Sequence, residues 1–330
     1  GPRPSLLDRI DQGVFVLDGA MGTSLQQADL SPEDFRGLDG CNELLVETRP
    51  DVVRNIHASF LAVGCDAIET NTFGAFSVVL DEYGIGARAR ELNLRAARIA
   101  REAVQAIEAE DPAGAPRYVL GSVGPGTKLP TLGHIRYDAL RDAYLPQMLG
   151  LVEGGVDGIQ IETCQDLLQI KAAIEAARQA FVMLRTELPL LVSITIESNG
   201  AMLMGTDVQA AAAALRPLGI DVLGFNCATG PEEMARHVET LARYGPARLL
   251  AMPNAGLPQN VDGELVYPMS ADDYAAWVSR FVLDHGVGVV GGCCGTEPRH
   301  LEALIARVGG APAPRREACR DAEVASLYQA

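Results

Sequence analysis

Three cysteines stand in two short motifs that could bind a metal ion. Cys293 and Cys294 are adjacent within a Gly-Gly-Cys-Cys-Gly run, and Cys227 follows Asn226 much earlier in the chain. Soft thiolate ligands select zinc, and three protein ligands with one open position are typical of a catalytic Zn²⁺ site. The spacing is not that of a zinc ribbon, so this prediction depends on a fold that brings the two motifs together.

Two acidic residues lie in comparable positions, each directly after or within an apolar run. Asp18 opens an Asp-Gly-Ala-Met-Gly run, and Glu162 stands in Gln-Ile-Glu-Thr-Cys. Carboxylates that hold an ammonium group, beside backbone amides freed by Gly19 and Gly22, would suit an amino acid ligand. A turn or helix-capping role for Asp18 and a core ion pair for Glu162 explain the same residues equally well.

Eight short apolar runs, rich in β-branched residues, predict the strands that would position these groups. The runs are 14–17, 67–69, 118–123, 158–162, 190–196, 222–225, 249–252 and 287–290. Amphipathic patterns between them predict helices, at 51–63, 87–107, 137–153, 167–185, 208–215, 231–243, 271–284 and 298–308. The alternation of strands and helices indicates βα units with a parallel sheet.

Eight βα units over this length predict a closed (β/α)8 TIM-type barrel. An open doubly wound sheet is the alternative, but no G-x-G-x-x-G follows the first run. Active sites of barrels lie at the C-terminal ends of the strands, so the zinc site is expected at the ends of strands 6 and 8. The barrel domain is predicted to span residues 1–310. Residues 311–330, with their Ala-Pro-Ala-Pro start, are predicted to be a linker or tail towards a further domain.

Composition narrows the classes of function. The 330 residues carry a formal net charge of -16 and no dense block of Lys or Arg, which argues against nucleic acid as a partner. No apolar stretch approaches the roughly 20 residues of a membrane helix, and no secretion signal is evident. We therefore expect a cytoplasmic location and no membrane. The odd number of cysteines, 7, argues against a disulfide framework.

The motifs resemble those of the homocysteine S-methyltransferase family. Its hallmarks are an early Asp-Gly-Ala-Met-Gly-Thr, a later Asn-Cys and a final Gly-Gly-Cys-Cys-Gly, and all three occur here in that order. Within the family, the segments at 41–45, 68–74 and 253–256 are more similar to the homocysteine-binding domain of cobalamin-dependent methionine synthases than to enzymes that use betaine or S-methylmethionine.

The resemblance implies a role for each site residue. Cys227, Cys293 and Cys294 would be the zinc ligands. The ammonium group of homocysteine would bind to Asp18 and Glu162, and its carboxylate to backbone amides around Ala20 and Met21. Asn254 would occupy the fourth zinc position until the substrate thiolate displaces it.

The resemblance also implies a reaction and its partners. Coordination to Zn²⁺ would let the homocysteine sulfur bind as a thiolate at neutral pH, and this thiolate would take the methyl group of methylcobalamin to give methionine. The methylcobalamin would be carried by a cobalamin-binding domain and regenerated from methyltetrahydrofolate with a folate-binding domain. Neither domain is found in these residues, so the chain is expected to be a fragment whose barrel mouth docks a further domain.

Two alternatives stay open at this point. A free-standing enzyme that takes its methyl group from betaine or S-methylmethionine would need a site for a cationic donor, and aromatic residues are only 5% of the chain. A non-catalytic zinc or thiol-binding module would need a fourth ligand, and no Cys or His stands beside the three cysteines in the sequence.

Overall fold

The computed structural model describes residues 3–321 and 323–330. A parallel sheet of 8 strands has the order β1-β10-β7-β6-β5-β4-β3-β2, and a separate antiparallel hairpin consists of β8 and β9. The strands are β1 Phe15–Val16, β2 Ala67–Glu69, β3 Tyr118–Val123, β4 Gly158–Cys164, β5 Leu190–Ile194, β6 Val222–Asn226, β7 Leu249–Met252, β8 Gln259–Val261, β9 Glu264–Val266 and β10 Val289–Val290. The sheet order is that of a TIM-type barrel, as predicted.

The seam between β1 and β2 closes the barrel with few backbone bonds. One parallel bridge pairs Leu17 with Ala67, and the Asp66 amide donates to the Val16 carbonyl at 2.7 Å. Two carboxylates add to the closure: Asp66 accepts from the Val16 amide at 2.8 Å, and Asp18 accepts from the Glu69 amide at 3.0 Å. Aspartate side chains therefore take the place of ladder bonds along this seam.

Helices surround the strands and bury one face each. They are α1 Leu6–Gln12, α2 Met21–Gln27, α3 Leu45–Thr48, α4 Pro50–Ala62, α5 Ser77–Leu80, α6 Ala89–Glu110, α7 Tyr137–Glu153, α8 Leu167–Leu184, α9 Val208–Leu215, α10 Pro231–Tyr244, α11 Ala271–His285 and α12 Pro298–Val308. Pro50, Pro231 and Pro298 each occupy the first turn of a helix, where no amide hydrogen is needed. Within the described residues, none of these helices combines the length and hydrophobicity that crossing a bilayer requires.

Alternation along the strands separates two apolar layers. Phe15 and Leu17 point into the barrel and pack with residues such as Leu120, whereas Val14 and Val16 pack outward against the helices. Leu6 and Ile10 of α1 join the interior layer. Side chains thus fill the barrel interior and α1 closes its base, which leaves the opposite, C-terminal end for a site.

The predicted βα units agree with the structure to within a few residues at their ends. Strands β2, β3 and β7 and helices α7, α9 and α12 have the predicted bounds. The prediction did not include the hairpin β8–β9 or the short helices α1, α2, α3 and α5, and its fifth strand, 190–196, extended two residues past the observed end at Ile194. All of these lie in connections or at strand ends, where the segments are too short to show a periodic hydrophobic pattern.

The segment after α12 lies against the barrel rather than away from it. The Val14 amide donates to the Ala311 carbonyl at 3.0 Å near the barrel base. Farther on, Arg216 forms a largely buried ion pair with Glu323 at 2.7 Å, and the Asp207 amide donates to the Tyr328 carbonyl at 3.0 Å. The domain boundary near residue 310 stays a prediction.

His57 of α4 makes stability sensitive to acid. Its side chain is fully buried, neither ring nitrogen has a hydrogen-bond partner among the described residues, and burial lowers the pKa of the imidazole to about 4. In the unfolded chain this imidazole binds a proton near pH 6.5, whereas in the folded chain it stays neutral until about pH 4. The free energy of unfolding should therefore fall by up to about 3 kcal/mol as the pH falls from about 7 to 4.

Urea unfolding over this pH range tests the effect. We expect His57→Leu to flatten the acid side of the stability profile relative to wild type. Identical slopes for wild type and His57→Leu would show that His57 is protonated in the folded protein.

Candidate active site

A cavity of about 270 Å³ opens at the C-terminal ends of the strands. The loops after β1, β2, β6 and β10 and the C-terminal parts of β3 and β4 line it, so residues far apart in sequence meet there. Among the predicted site residues, the lining contains Asp18, Ala20, Met21, Glu162, Cys227, Cys293 and Cys294. The described lining includes no Lys, Arg or His. Its character is therefore acidic and sulfur-rich.

The three predicted ligand cysteines converge at one side of this cavity. Their sulfur atoms all lie within 4.8 Å of one another, and the Sγ atoms of Cys227 and Cys294 are 3.8 Å apart. A tetrahedral centre with Zn–S bonds of about 2.3 Å has its sulfurs about 3.8 Å apart. The cluster therefore has the donor type and the spacing that a zinc ion requires, and no other such group occurs among the described residues.

Backbone bonds between loops hold the cysteines in place. The Cys227 amide donates to the Met252 carbonyl at 3.1 Å, and the Cys293 amide donates to the Pro253 carbonyl at 3.0 Å. Cys227 has a left-handed backbone with φ 63° at the end of β6, which turns its side chain towards the end of β10. All three sulfurs belong to half-buried residues and can be reached from the cavity.

Hydrogen bonds among the three thiols shift their pKa values in opposite directions. Hydrogen bonds with Cys227 and then Cys293 lower the pKa of Cys294 to about 3, whereas hydrogen bonds with Cys227 and then Cys294 raise the pKa of Cys293. Without a cation, the three thiols share one negative charge, and this charge opposes the loss of a second proton. A cluster that resists full ionisation in this way favours a cation at its centre.

Asn254 lies between the two cysteine loops. Its amide donates to the Thr229 carbonyl at 3.0 Å, and the next amide, of Ala255, donates to the Cys294 carbonyl at 3.0 Å. The side-chain Oδ1 is buried without a hydrogen-bond partner among the described residues. An unpaired buried acceptor is costly, so this oxygen needs a partner that the described residues do not supply.

Three carboxyl groups, from Asp18, Glu69 and Glu162, are buried at the cavity wall. Asp18 Oδ2 accepts from the Glu69 amide, and Glu162 Oε1 accepts from the Ser122 hydroxyl at 2.5 Å. Asp18 Oδ1 and Glu69 Oε1 have no partner among the described residues. The predicted ion pair for Glu162 in the core is thus not formed in the described structure.

Burial dominates the electrostatics of these carboxyl groups. It raises the pKa of Glu162 to about 7 against the opposing bond from Ser122, and it raises the pKa of Asp18 and of Glu69 well above their ordinary values. The negative charge of Glu162 adds to the rise at both neighbours. A cationic ligand would relieve both the desolvation and the repulsion.

The start of α2 also faces the cavity. The Ala20 amide donates to the Thr296 carbonyl at 3.3 Å, so it is already engaged. The amides of Met21 and Gly22 occupy the first turn, which has no side-chain cap. Of the two predicted carboxylate-binding positions, Met21 therefore has the available amide.

Sequence reasoning did not single out Glu69, Ser122 or Asn226 as site residues. Glu69 and Asn226 end strands β2 and β6, which was a usable signal, because polar residues at C-terminal strand ends face a barrel's mouth. Ser122 lies inside β3 and carried no such signal. The remaining cysteines, Cys41, Cys65, Cys164 and Cys319, lie outside the cluster, and the first three are buried.

Comparison with known proteins agrees with these observations. The family model for homocysteine S-methyltransferase matches residues 15–308. The chain belongs to the homocysteine S-methyltransferase family. The resemblance noted from its sequence motifs is thereby confirmed.

Curated relatives are longer than this chain. A methionine synthase of Mycobacterium tuberculosis (strain ATCC 25618 / H37Rv) is 47% identical over 325 residues, which are 98% of this chain and 27% of the relative. A methionine synthase of Mycobacterium leprae (strain TN) is 46% identical over 330 residues, again 27% of the relative. The chain thus spans about a quarter of the length of the methionine synthases that it matches.

A solved structure shares the fold of this family member. The homocysteine methyltransferase MmuM from Escherichia coli, in its metallated form, has a TM-score of 0.72 at 24% identity, covering 92% of this chain and 98% of that one. Its apo form gives a TM-score of 0.70. The similarity supports the barrel assignment.

Proposed function

We propose that this chain binds homocysteine and activates its thiol for methylation to methionine, with Zn²⁺ held by Cys227, Cys293 and Cys294. The observation that carries the proposal is the convergence of these three sulfurs beside buried carboxylates in one cavity. The ion would supply Lewis acidity that lowers the pKa of the substrate thiol, so that the sulfur is a thiolate at neutral pH.

The cavity offers complementary groups for the ammonium and the carboxylate of the substrate. The carboxylates of Asp18 and Glu162 would take the ammonium group, and the unpaired Asp18 Oδ1 would gain a donor there. The amides of Ala20 and Met21 were expected to bind the substrate carboxylate, and the free first-turn amide of Met21 supports the second of these. The two charged groups of the amino acid, its ammonium and its carboxylate, would thereby aim its sulfur at the cysteines.

Asn254 is proposed as the exchangeable fourth ligand. Its backbone is bonded to the loop of Cys227, and its neighbour Ala255 is bonded to Cys294. The buried, unpaired Oδ1 atom is a suitable oxygen donor that the substrate sulfur could replace. The exchange would keep the fourth zinc position filled both with and without homocysteine.

We propose methylcobalamin, carried on a cobalamin-binding domain, as the methyl donor, with a folate-binding domain for its regeneration. The mouth has exposed apolar side chains on loops that follow different strands, which supports docking of a further domain there. They include Phe73 after β2, Leu203 after β5, and Val261 and Leu265 of the β8–β9 hairpin. A cytoplasmic location, without nucleic acid or membrane partners, stays the expectation from sequence.

Betaine and S-methylmethionine are less well supported as donors. Each carries a cationic onium group that an aromatic cage would recognise, and Phe73 is the single aromatic residue in the described cavity lining. A closed structural zinc site is likewise less well supported, because the described cysteine cluster has three members and opens into the cavity.

Methyl transfer by the zinc-loaded chain tests the proposal. We expect methionine from homocysteine and free methylcobalamin, with a matching change in the visible spectrum, and none from betaine or S-methylmethionine. Methionine from either of these two donors instead would overturn the cobalamin assignment and keep the thiol chemistry. No product from any donor, with zinc bound, would favour a non-catalytic module.

A further inference from the structure

Asn226, the last residue of β6, is the centre of a buried hydrogen-bond network beside the cysteine cluster. Its side chain is 1% exposed. Oδ1 accepts from the Thr163 amide at 2.8 Å and from the Ser193 hydroxyl at 2.7 Å. Nδ2 donates to Thr163 Oγ1 at 2.7 Å and points to Cys293 Sγ at 3.8 Å. All the hydrogen-bonding directions of the amide are thereby used.

The partners determine which way round this amide lies. The Thr163 amide is a donor, so it must face Oδ1. Ser193 accepts a hydrogen bond from Gln160 Nε2 at 3.0 Å, which leaves its own hydrogen for Asn226 Oδ1. The opposite orientation would set two donors against each other and leave the sulfur facing an oxygen. The geometry therefore assigns the Nδ2 donor to Cys293.

The network holds backbone conformations that are unfavourable on their own. Thr163 is β-branched yet has φ 58°, and Cys227 and Ala228 both have φ 63°. Residues with side chains rarely adopt this region, and each instance costs on the order of 1 kcal/mol or more. Asn226 bonds Thr163 through both its amide and its hydroxyl and directly precedes Cys227. It therefore joins the two strained segments.

We propose that Asn226 is a positioning residue that orients Cys293 for metal binding and ties the cysteine cluster to the segment of Glu162. The inference rests on the proposed zinc site. Glu162 directly precedes Thr163, so one amide side chain contacts both the Cys293 sulfur and the residue next to Glu162. The N–H group directed at the Cys293 sulfur also stabilises its negative charge.

Zinc affinity, measured by competition with a chromophoric chelator, tests this role. Asn226→Asp keeps the shape and the acceptor but removes both Nδ2 donors, and we expect affinity to fall by about 10–100-fold, the usual cost of losing a group that orients a metal ligand. A Co²⁺-substituted protein should show a shifted sulfur-to-metal charge-transfer band. The matched control is Ser193→Ala, which removes a bond to Asn226 Oδ1 and leaves the contact with Cys293, so its affinity should stay within about threefold of wild type.

The outcomes separate this inference from the function on which it rests. Equal zinc affinity and an unchanged band in Asn226→Asp would overturn the inference alone, and so would equal losses in Asn226→Asp and Ser193→Ala. A wild-type chain that binds no Zn²⁺ would overturn both the proposed function and the inference. If Asn226→Asp does not fold, as judged by circular dichroism, the same measurement on Asn226→Ala decides, with a loss of at least about tenfold expected.

Discussion

Serine in place of Cys293 is expected to remove the metal from the purified chain while the barrel remains folded. The Cys293 sulfur is one of three within 4.8 Å of one another, and a hydroxyl is a far weaker zinc ligand than a thiolate. Zinc content should fall from near one per chain to near zero, and methyl transfer to homocysteine by more than about a thousandfold. Metal analysis and methionine formation measure the two effects.

The control for this substitution is Cys319→Ser. Cys319 lies in the segment after α12, outside the cluster, so the variant should retain metal and activity. Thermal unfolding with circular dichroism establishes that both variants are folded. Full zinc content in a folded Cys293→Ser protein would show that the ligand set is wrong.

Glutamine in place of Glu162 should weaken homocysteine binding and spare the metal. The substitution keeps an oxygen for the Ser122 hydroxyl but removes the negative charge proposed to face the substrate ammonium group. Hydrogen bonds to charged groups contribute about 1.5–3 kcal/mol, so KM for homocysteine should rise by about 10–100-fold. Steady-state kinetics with methylcobalamin and zinc analysis check both parts.

A substrate analogue supplies the control for Glu162→Gln. The thiol acid 4-mercaptobutyrate lacks the amino group, so wild type should use it poorly and Glu162→Gln should no longer prefer homocysteine to the same extent. Asp18→Asn should act in the same direction, because its carboxylate is proposed to share the ammonium group. An unchanged preference for homocysteine in Glu162→Gln would mean that this carboxylate does not contact the amine.

The barrel was predictable because its signal is repeated along the chain. Runs such as 118–123 and 190–196 are short, contain β-branched residues and are fully buried, and helices such as α6, α10 and α12 have a clear apolar face. The β8–β9 hairpin escaped prediction for a physical reason. All of its strand residues are exposed, so burial imposes no alternation on them and the pattern carries no strand signal.

The site was predictable to the extent that its residues stand at strand ends. Cys227, Cys293, Cys294 and Asp18 follow strands and Glu162 lies in the C-terminal half of β4, and the barrel brings these positions together. Glu69 was not predicted as a site residue, because the sequence analysis used it only within the 68–74 segment that resembles the family. The orientation of the Asn226 amide and the strain at Thr163 depend on contacts between loops that no sequence period encodes.

The seam between β1 and β2 gives the proposed substrate a structural role. Few backbone bonds cross it, and the Asp18 carboxylate supplies the crossing at the cavity end by accepting from the Glu69 amide. An ammonium group bound among Asp18, Glu69 and Glu162 would join β1, β2 and β4 at once. In the proposed complex, bound homocysteine would thus stabilise the contact between β1 and β2. This contact would be weaker when the cavity is empty.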